Sequence, residues 1–194
     1  MKKTLVTAIL MTIATTVLLG IIYPLVVTGI AQVLFPKKAN GQLIEANGKV
    51  IGSHIIAQAF TALGYFHPRP SAVNYDPTGS NGSQLGPTNQ KLIDRVKGDT
   101  ATLRAENPGA PVPIDLVTAS ASGLDPEITP AAAAFQVSRV ARARGIAEDQ
   151  LRDLVSKHTE DRQWGFLGEA RVNVMELNLE LDTRFPNTKL SKIK

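Results

Sequence analysis

The sequence begins with a run of 33 residues, Thr4 to Pro36, that contains no charged side chain and no histidine. About 20 apolar residues in a helix are enough to cross the ~30 Å hydrocarbon core of a bilayer. The run therefore predicts a transmembrane anchor helix, residues 1–36, with residues to spare. We also expect a kink near Tyr23 and Pro24, because proline removes one backbone donor from the span.

A cleaved secretory signal is the alternative, since Lys2 and Lys3 provide a basic start. The apolar core of a signal peptide covers about 7 to 15 residues and ends at a small-x-small site. Residues 32–35, Gln-Val-Leu-Phe, offer no such site, so the sequence favours a retained anchor. Small residues such as Ala8 and Gly20 suit close approach of a second transmembrane helix, but they are also ordinary in a membrane span.

Positive charges flank the run almost equally on its two sides. Lys2, Lys3 and the terminal amine precede it, and Lys37, Lys38 and Lys49 follow it. The cytoplasmic side of a membrane helix usually carries the larger number of positive charges. Here the two sides carry nearly equal numbers, so the charges do not decide the orientation. Large domains translocate largely regardless of charge, so a cytoplasmic N-terminus with the domain outside is permitted but not demanded.

Residues 37–194 are enough for one domain with its own core. The chain has 21 basic and 17 acidic residues, and without Lys2 and Lys3 the domain has 19 basic residues. This small positive excess does not indicate a surface that binds nucleic acid. The chain has no cysteine, which excludes disulfides and thiol catalysis. We predict an α+β protein: one N-terminal transmembrane helix followed by a single mixed α+β soluble domain.

Turn residues and apolar periodicity predict the elements of this domain. The predicted extended elements are a hairpin in residues 37–52 around Asn47-Gly48, a strand at 114–119, and a strand from 172 that passes into a helix by 181. The predicted helices are one capped by Thr88 and ending before Asn107, one over 131–144 between Thr129-Pro130 and Gly145, and one over 147–158. Residues 64–87 combine turn residues with aromatics, so we expect an ordered loop.

Two serines, Ser120 and Ser122, invite interpretation as hydrolase nucleophiles. A nucleophile elbow needs Gly-x-Ser-x-Gly and a histidine base, and only Gly123 fits that spacing. Asp125-Pro126 beside a glycine is ordinary turn chemistry, which we favour. The three histidines lie far apart in sequence without ligand spacing, so we predict neither a catalytic residue nor a metal site.

A loop rich in glycine and serine, Ser80 to Asn89, directly precedes a predicted helix. Free backbone N–H groups at a helix N-terminus favour anions such as phosphate, although without a Walker lysine a plain turn is commoner. Arginines at the end of the 131–144 helix form either a basic face or a solvated helix end. The candidate nucleotide-binding residues are Ser80, Gly82, Ser83, Gln84, Gln136 and Arg139.

Several motifs together resemble one family from end to end of the chain. They are Tyr23-Pro24, Asn40-Gly41, Gly52-Ser53, Gln58-x-Phe60, GYFHPRPSA (Gly64 to Ala72), LVTASASGLDP (Leu116 to Pro126), ITPAAAAFQVSRVARARG (Ile128 to Gly145) and VNVMELNLELD (Val172 to Asp182). The chain resembles the KdpC family, the C subunits of the Kdp potassium-transporting P-type ATPases. One departure is Ser80-Asn81-Gly82-Ser83-Gln84, where the family typically reads Ser-Gly-Gly-Ser-Asn.

The resemblance implies a non-catalytic subunit of an ATP-driven potassium uptake complex in the inner membrane. Its implied partners are a channel-like subunit, a P-type ATPase subunit, a small membrane peptide and lipid. Hydrolysis belongs to the ATPase subunit, and this chain has neither an Asp-Lys-Thr-Gly motif nor a P-loop.

Two roles are compatible with the resemblance. In one, the chain is a structural subunit with a cytoplasmic N-terminus and its domain outside, over the channel-like subunit. In the other, it is a catalytic chaperone that raises nucleotide affinity, with ATP met through the complex or bound directly by the Gly/Ser loop, which is likened to the Leu-Ser-Gly-Gly-Gln signature of ABC transporters. The two roles conflict on topology, because ATP is available only in the cytoplasm. We favour the outside placement, which the resemblance supports and the charge count permits.

Overall fold

The computed structural model describes residues 1–186, so residues 187–194 of the predicted soluble domain lie outside the described part. The chain divides into two compact units, Met1–Ile51 and a second that begins at Gly52. The hairpin of residues 43–53 thus clusters mostly with the N-terminal helix. The predicted limit of the membrane anchor, after residue 36, stays a prediction, because contacts within the chain do not report where lipid ends.

The first unit begins with one long helix: α1 Lys2–Thr15, a π-helical segment Thr16–Ile22, and α2 Tyr23–Leu34. Within residues 1–186 it is the one helix long and apolar enough to cross a membrane, and none of its side chains is buried within the chain. Pro24 cannot donate to the carbonyl four residues earlier, and the preceding turn widens so that the Tyr23 N–H reaches Leu18 O. The helix thus departs from α-helical geometry next to Tyr23 and Pro24, and the kink expected there stays a prediction.

Threonines in the first half of this helix satisfy their hydroxyls locally. Thr7, Thr12 and Thr15 each donate to the carbonyl four residues earlier, at 2.8–3.0 Å. A hydroxyl that bonds its own helix needs no water, so these residues are compatible with a hydrocarbon surrounding.

After the short helix α3, Pro36–Ala39, the chain forms the hairpin β1 Leu43–Ala46 and β2 Lys49–Ser53. Asn47 and Gly48 have φ angles of 52° and 73°, which the type I′ hairpin turn requires. The predicted hairpin is therefore confirmed.

The second unit combines helices with a small sheet. Its elements are α4 Gln90–Glu106, a 3₁₀ turn Ile114–Leu116, β3 Glu127–Ile128, α5 Pro130–Arg144, α6 Glu148–Lys157, β4 Thr159–Glu160, β5 Arg171–Asn173 and α7 Val174–Arg184. The strands form an antiparallel sheet in the order β3-β5-β4, with Ile128 and Thr159 both opposite Val172. The α+β class is confirmed.

Helix α5 lies at the centre of the core. Its buried face carries alanines and valines that let neighbouring elements approach closely, and it packs with Leu151 and Leu154 of α6, Val172 of β5 and Leu177 of α7. Burying one such aliphatic side chain stabilises the fold by roughly 1.5–3 kcal/mol. The helix that this core surrounds also carries two of the six candidate nucleotide-binding residues, Gln136 and Arg139.

The predicted ends of α5 are confirmed. The Thr129 hydroxyl accepts from Ala132 N–H at 3.1 Å, Pro130 occupies the first helical position, and Gly145 ends the helix at φ 71°. Helix α6 and the strand that passes into a helix, β5 and α7, are also confirmed.

Two local predictions are wrong. Helix α4 is capped by Asn89, whose side chain accepts from Lys91 N–H at 2.9 Å, and not by Thr88. The predicted strand at 114–119 is a 3₁₀ turn, because Asp115 points inward and accepts from the Thr129 N–H at 2.8 Å. In this segment, the hydrogen bond that Asp115 accepts at the start of α5 replaces strand pairing.

Candidate functional site

The aromatic loop, residues 63–75, has no helix or strand of its own, yet its residue Phe66 is fully buried. Burial takes the backbone N–H and C=O groups of the loop away from water, and each then needs a partner. Asn178 of α7 accepts from Phe66 N–H and donates to Phe66 O, both at 2.9 Å. Gln136 of α5 pairs in the same way with His67, at 2.8 and 3.1 Å. The two side-chain amides thus supply the hydrogen bonds that the backbone of a neighbouring strand would otherwise make.

Arg139, one turn after Gln136 on α5, holds the beginning of the same loop. Its guanidinium donates to Leu63 O at 2.7 Å, to Tyr65 O at 3.0 Å and to Gln136 Oε1 at 2.6 Å. Its Nε lies 3.3 Å from Glu106 Oε2, which is close enough for charge pairing but is not a well-aligned hydrogen bond. Burial lowers the pKa of Arg139, and the Glu106 charge opposes that shift.

Arg144, in the last turn of α5, joins the loop to α7. It donates to Gly64 O at 2.5 Å and to Asp182 Oδ1 at 2.7 Å, and its guanidinium lies 4.7 Å from the centre of the Tyr65 ring. The Tyr65 hydroxyl donates to the same Asp182 at 2.9 Å. Burial, then the hydrogen bond to Asp182, raise the pKa of Tyr65, so its phenol stays protonated near neutral pH.

A cleft of about 380 Å³ lies between the aromatic loop, the C-terminal part of α4 and α5. Its wall includes Phe60, His67, Tyr75, Glu106, Gln136 and Arg139. Burial, then the nearby Arg139 charge, lower the pKa of His67, whose Nε2 lies 3.1 Å from Ala62 O. The side chains of His67, Tyr75, Gln136 and Arg139 in the wall thus already have partners within the chain. Across residues 1–186, no group of three or more His, Asp or Glu side chains is arranged to hold a metal ion.

The Gly/Ser loop, residues 80–84, lies against the turn of residues 120–123. Asn81 N–H and the Ser80 hydroxyl both donate to Ser122 O, at 3.0 and 3.2 Å. A Cβ on Gly82 would lie 3.0 Å from Ala121 O, so the two backbones approach closely because residue 82 has no side chain.

The same turn also packs on the aromatic loop. The Ser71 hydroxyl donates to Gly123 O at 2.6 Å, and Ser120 N–H donates to Pro70 O at 3.3 Å. Gly123 has φ 68°, and a Cβ there would lie 2.6 Å from a methyl of Val73. The aromatic loop and the Gly/Ser loop therefore both meet the distant turn of residues 120–123.

The six candidate nucleotide-binding residues fall into two clusters. Gln136 and Arg139 line the cleft, whereas none of the four loop candidates, Ser80, Gly82, Ser83 and Gln84, does. Within the loop, the Gln84 amide donates to Asn81 Oδ1 at 2.8 Å. Nucleotide binding by these residues stays a prediction. The geometry shows that Gln136 and Arg139 form hydrogen bonds with the backbone of the aromatic loop.

The two serines weighed as nucleophiles occupy a turn. The Ser122 hydroxyl accepts from Leu124 N–H at 3.1 Å, and Ser120 is buried with 4% of its surface exposed. These contacts are typical of a structural serine turn.

Two residues that hold the loop, Asn178 and Asp182, were missed in the sequence. In an alternating strand Asn178 would be a polar position, but on helix α7 it shares the buried side with Val174 and Leu181. An asparagine at helical spacing among buried apolar residues was the available signal, and it is readable only once the segment is known to be a helix.

Comparisons with known proteins give a consistent result. A family model described as "KdpC: K+-transporting ATPase, c chain" matches residues 5–183. The chain is 63% identical over 188 residues to the potassium-transporting ATPase KdpC subunit of Koribacter versatilis, covering 96% of this chain and 97% of that protein. It is 55% identical over 196 residues to the subunit of the same name from Rhodopseudomonas palustris, covering 94% and 98%.

Replacing Arg139 with methionine is expected to lower the free energy of unfolding by about 3 kcal/mol. The change leaves two loop carbonyls without their donor and Glu106 without its cation. Urea unfolding of the full chain in mild detergent measures the effect. Arg142→Met is the matched control, since Arg142 lies exposed on the same helix and its loss should change stability by less than about 0.5 kcal/mol. Equal effects of the two substitutions would contradict the role given to Arg139.

The free energy of unfolding should fall as the pH drops below about 6.5. The unfolded chain protonates its histidines near that pH, whereas folded His67 has a lowered pKa and stays neutral. The unfolded state then binds more protons, and His67 contributes a slope of up to about 1.4 kcal/mol per pH unit until its folded form also protonates. Urea unfolding between pH 7.5 and 5 tests this. His67→Gln should flatten the curve, and an unchanged slope in that variant would count against the prediction.

Proposed function

The chain belongs to the KdpC family of potassium-transporting ATPase subunits, and from that membership we propose that it is a non-catalytic accessory subunit that assembles and stabilises an ATP-driven potassium uptake complex. Its proposed partners are a channel-like potassium-translocating subunit, a P-type ATPase subunit and a small membrane peptide. ATP hydrolysis is carried out by the ATPase subunit, and this chain meets ATP only through the complex.

The observation that carries the proposal is the helix of residues 2–34. From Thr4 on it has no charged side chain, and it buries none of its side chains within the chain, so its surface needs lipid or another apolar surface as cover. Ala8, Thr12, Thr16 and Gly20 recur every four residues, and small residues at this spacing allow a second helix to approach closely. We propose that this helix packs on the channel-like subunit within the membrane.

The second unit supports a structural role. Its buried polar side chains, among them Asn178, Gln136 and Arg139, hold the chain's own backbone. A domain stabilised in this way presents a rigid surface. We propose that it lies outside the cell membrane, with the N-terminus cytoplasmic, and covers the outer mouth of the channel-like subunit.

The alternative is a nucleotide-binding regulator that raises the ATP affinity of the ATPase subunit. The exposure of Ser80 and Gln84 on the Gly/Ser loop favours it. This role requires the domain in the cytoplasm, where ATP is available, so the side of the membrane separates the two proposals.

Deleting residues 1–36 is expected to release the rest of the chain from the membrane and from the complex, because the deleted helix supplies both contacts. Membrane fractionation and co-purification with the partner subunits measure the outcome. A control chain carries an unrelated leucine-rich helix of equal length in place of residues 4–36, and it should return to the membrane without full assembly. Normal assembly of the truncated chain would contradict the proposal. Full assembly of the control would show that the helix only attaches the chain to the membrane and does not pack specifically on a partner.

A single cysteine decides the side of the membrane, since the chain has none of its own. Ser156 lies exposed on α6, so the Ser156→Cys variant should react with a membrane-impermeant maleimide in intact cells. The same variant in permeabilised cells provides the control for reactivity. Labelling only after permeabilisation would place the domain in the cytoplasm and favour the nucleotide-binding alternative.

A further inference from the structure

The connection between β4 and β5 presents a cluster of apolar side chains to solvent. We name residues 163–167 (Gln-Trp-Gly-Phe-Leu) the β4–β5 tip. Trp164 is 85% exposed, Phe166 is 68% exposed and Leu167 is 42% exposed. Single exposed apolar residues are ordinary, whereas a contiguous group mostly marks an interaction site. Trp164 is also the single tryptophan of the chain.

The tip is held in one conformation by its own hydrogen bonds. Gln163 and Leu167 exchange two backbone hydrogen bonds at 2.9 Å, as in an antiparallel pair. An ion pair between Arg162 and Glu169, 2.5 Å long, closes the base of the tip. A group that is already ordered loses little conformational entropy when it binds, so rigid apolar tips are effective anchors.

The residue at the turn is not the one that folding alone would favour. Trp164 has φ 53° and Gly165 has φ 81°. The left-handed region suits glycine or asparagine, whereas a bulky side chain there is strained by about 1–2 kcal/mol. Both this strain and the exposure of the indole ring oppose the presence of Trp164, and strain of this kind is typical of functional positions.

The charges at the base of the tip indicate which kind of surface it fits. Arg162 is paired with Glu169, and Arg171 is paired with Glu127 at 2.8 Å and with Glu160 at 2.7 Å. Asp161 adds a further exposed carboxylate. Two guanidinium groups thus stand among four carboxylates, and the base of the tip is net negative. Such a surface repels the anionic headgroups of a bilayer, which attract basic segments.

We propose that the β4–β5 tip is an anchor that inserts Trp164 and Phe166 into an apolar socket with a basic rim on a partner subunit of the transporter. This inference rests on the proposed function, since it presupposes an assembly with other subunits. Tryptophan is among the residues that dominate the binding energy of interfaces, and a negative rim around the anchor speeds encounter with a positive one.

The test is a double variant, Trp164→Ala with Phe166→Ala, in the full chain co-expressed with the partner subunits. We expect at least about tenfold weaker retention in the complex, the scale at which interface anchors act. Thermal unfolding of the purified chain should be unchanged, because both side chains are exposed. The matched control is Ile55→Ala with Ile114→Ala, which removes two exposed apolar side chains, 50% and 73% exposed, from other places on the second unit.

Trp164 itself reports what covers it. The full chain is labelled with fluorotryptophan, which gives a single fluorine resonance, and is placed in nanodiscs of phosphatidylethanolamine and phosphatidylglycerol with and without the partner subunits. We expect a water-exposed signal for the chain alone, and a shifted signal protected from a soluble paramagnetic quencher once the partner subunits are added.

The outcomes separate this inference from the function on which it rests. If the unsubstituted chain assembles and the double variant assembles equally well, the anchor is wrong and the proposed function stands. If Trp164 is already protected in nanodiscs without partners, lipid or a second copy of the chain covers the tip, and the inference is overturned. If the unsubstituted chain fails to join the complex, both proposals fall.

Discussion

The backbone of the aromatic loop is the constraint on which the second unit depends. Phe66 fills the core, but the loop has no neighbouring strand to pair its N–H and C=O groups. A buried backbone group without a partner costs about 1–3 kcal/mol, so the loop is stable only where side chains replace the missing strand. Asn178, Gln136 and Arg139 do so, and they fix how α5 and α7 face each other.

Helix α5 connects this network to the rest of the unit. At its start, Thr129 caps the helix and is itself held by Asp115. At its end, Arg144 joins the loop to Asp182 on α7. Between these ends, one face packs into the apolar core. A chain that uses its buried polar side chains to hold its own backbone is suited to presenting surfaces. Within residues 1–186, the long N-terminal helix and the β4–β5 tip are apolar surfaces that it leaves exposed.

Local signals predicted much of the fold. The Asn47-Gly48 turn and the Thr129-Pro130 start of α5 each depend on a few residues, and both are confirmed. The uncharged run from Thr4 to Pro36 forms, over most of its length, the apolar helix that ends at Leu34. The strand predicted at 114–119 was wrong because Asp115 bonds a residue 14 positions later, which no local propensity contains. The prediction of Thr88 as the cap of α4 was wrong because the neighbouring Asn89 can cap as well, and the sequence does not show where the helix begins.

The sequence by itself determined the long apolar helix, the α+β class and, through its motifs, the family, because hydrophobic length and turn chemistry are properties of contiguous residues. Only the tertiary structure decided what the candidate residues do. It separated Gln136 and Arg139 from the Gly/Ser loop and paired Asn178 with Phe66 across 112 positions of sequence. It also exposed Trp164, which in the sequence was one more apolar residue. Contacts between distant segments depend on how the whole core packs, and no spacing along the chain encodes them directly.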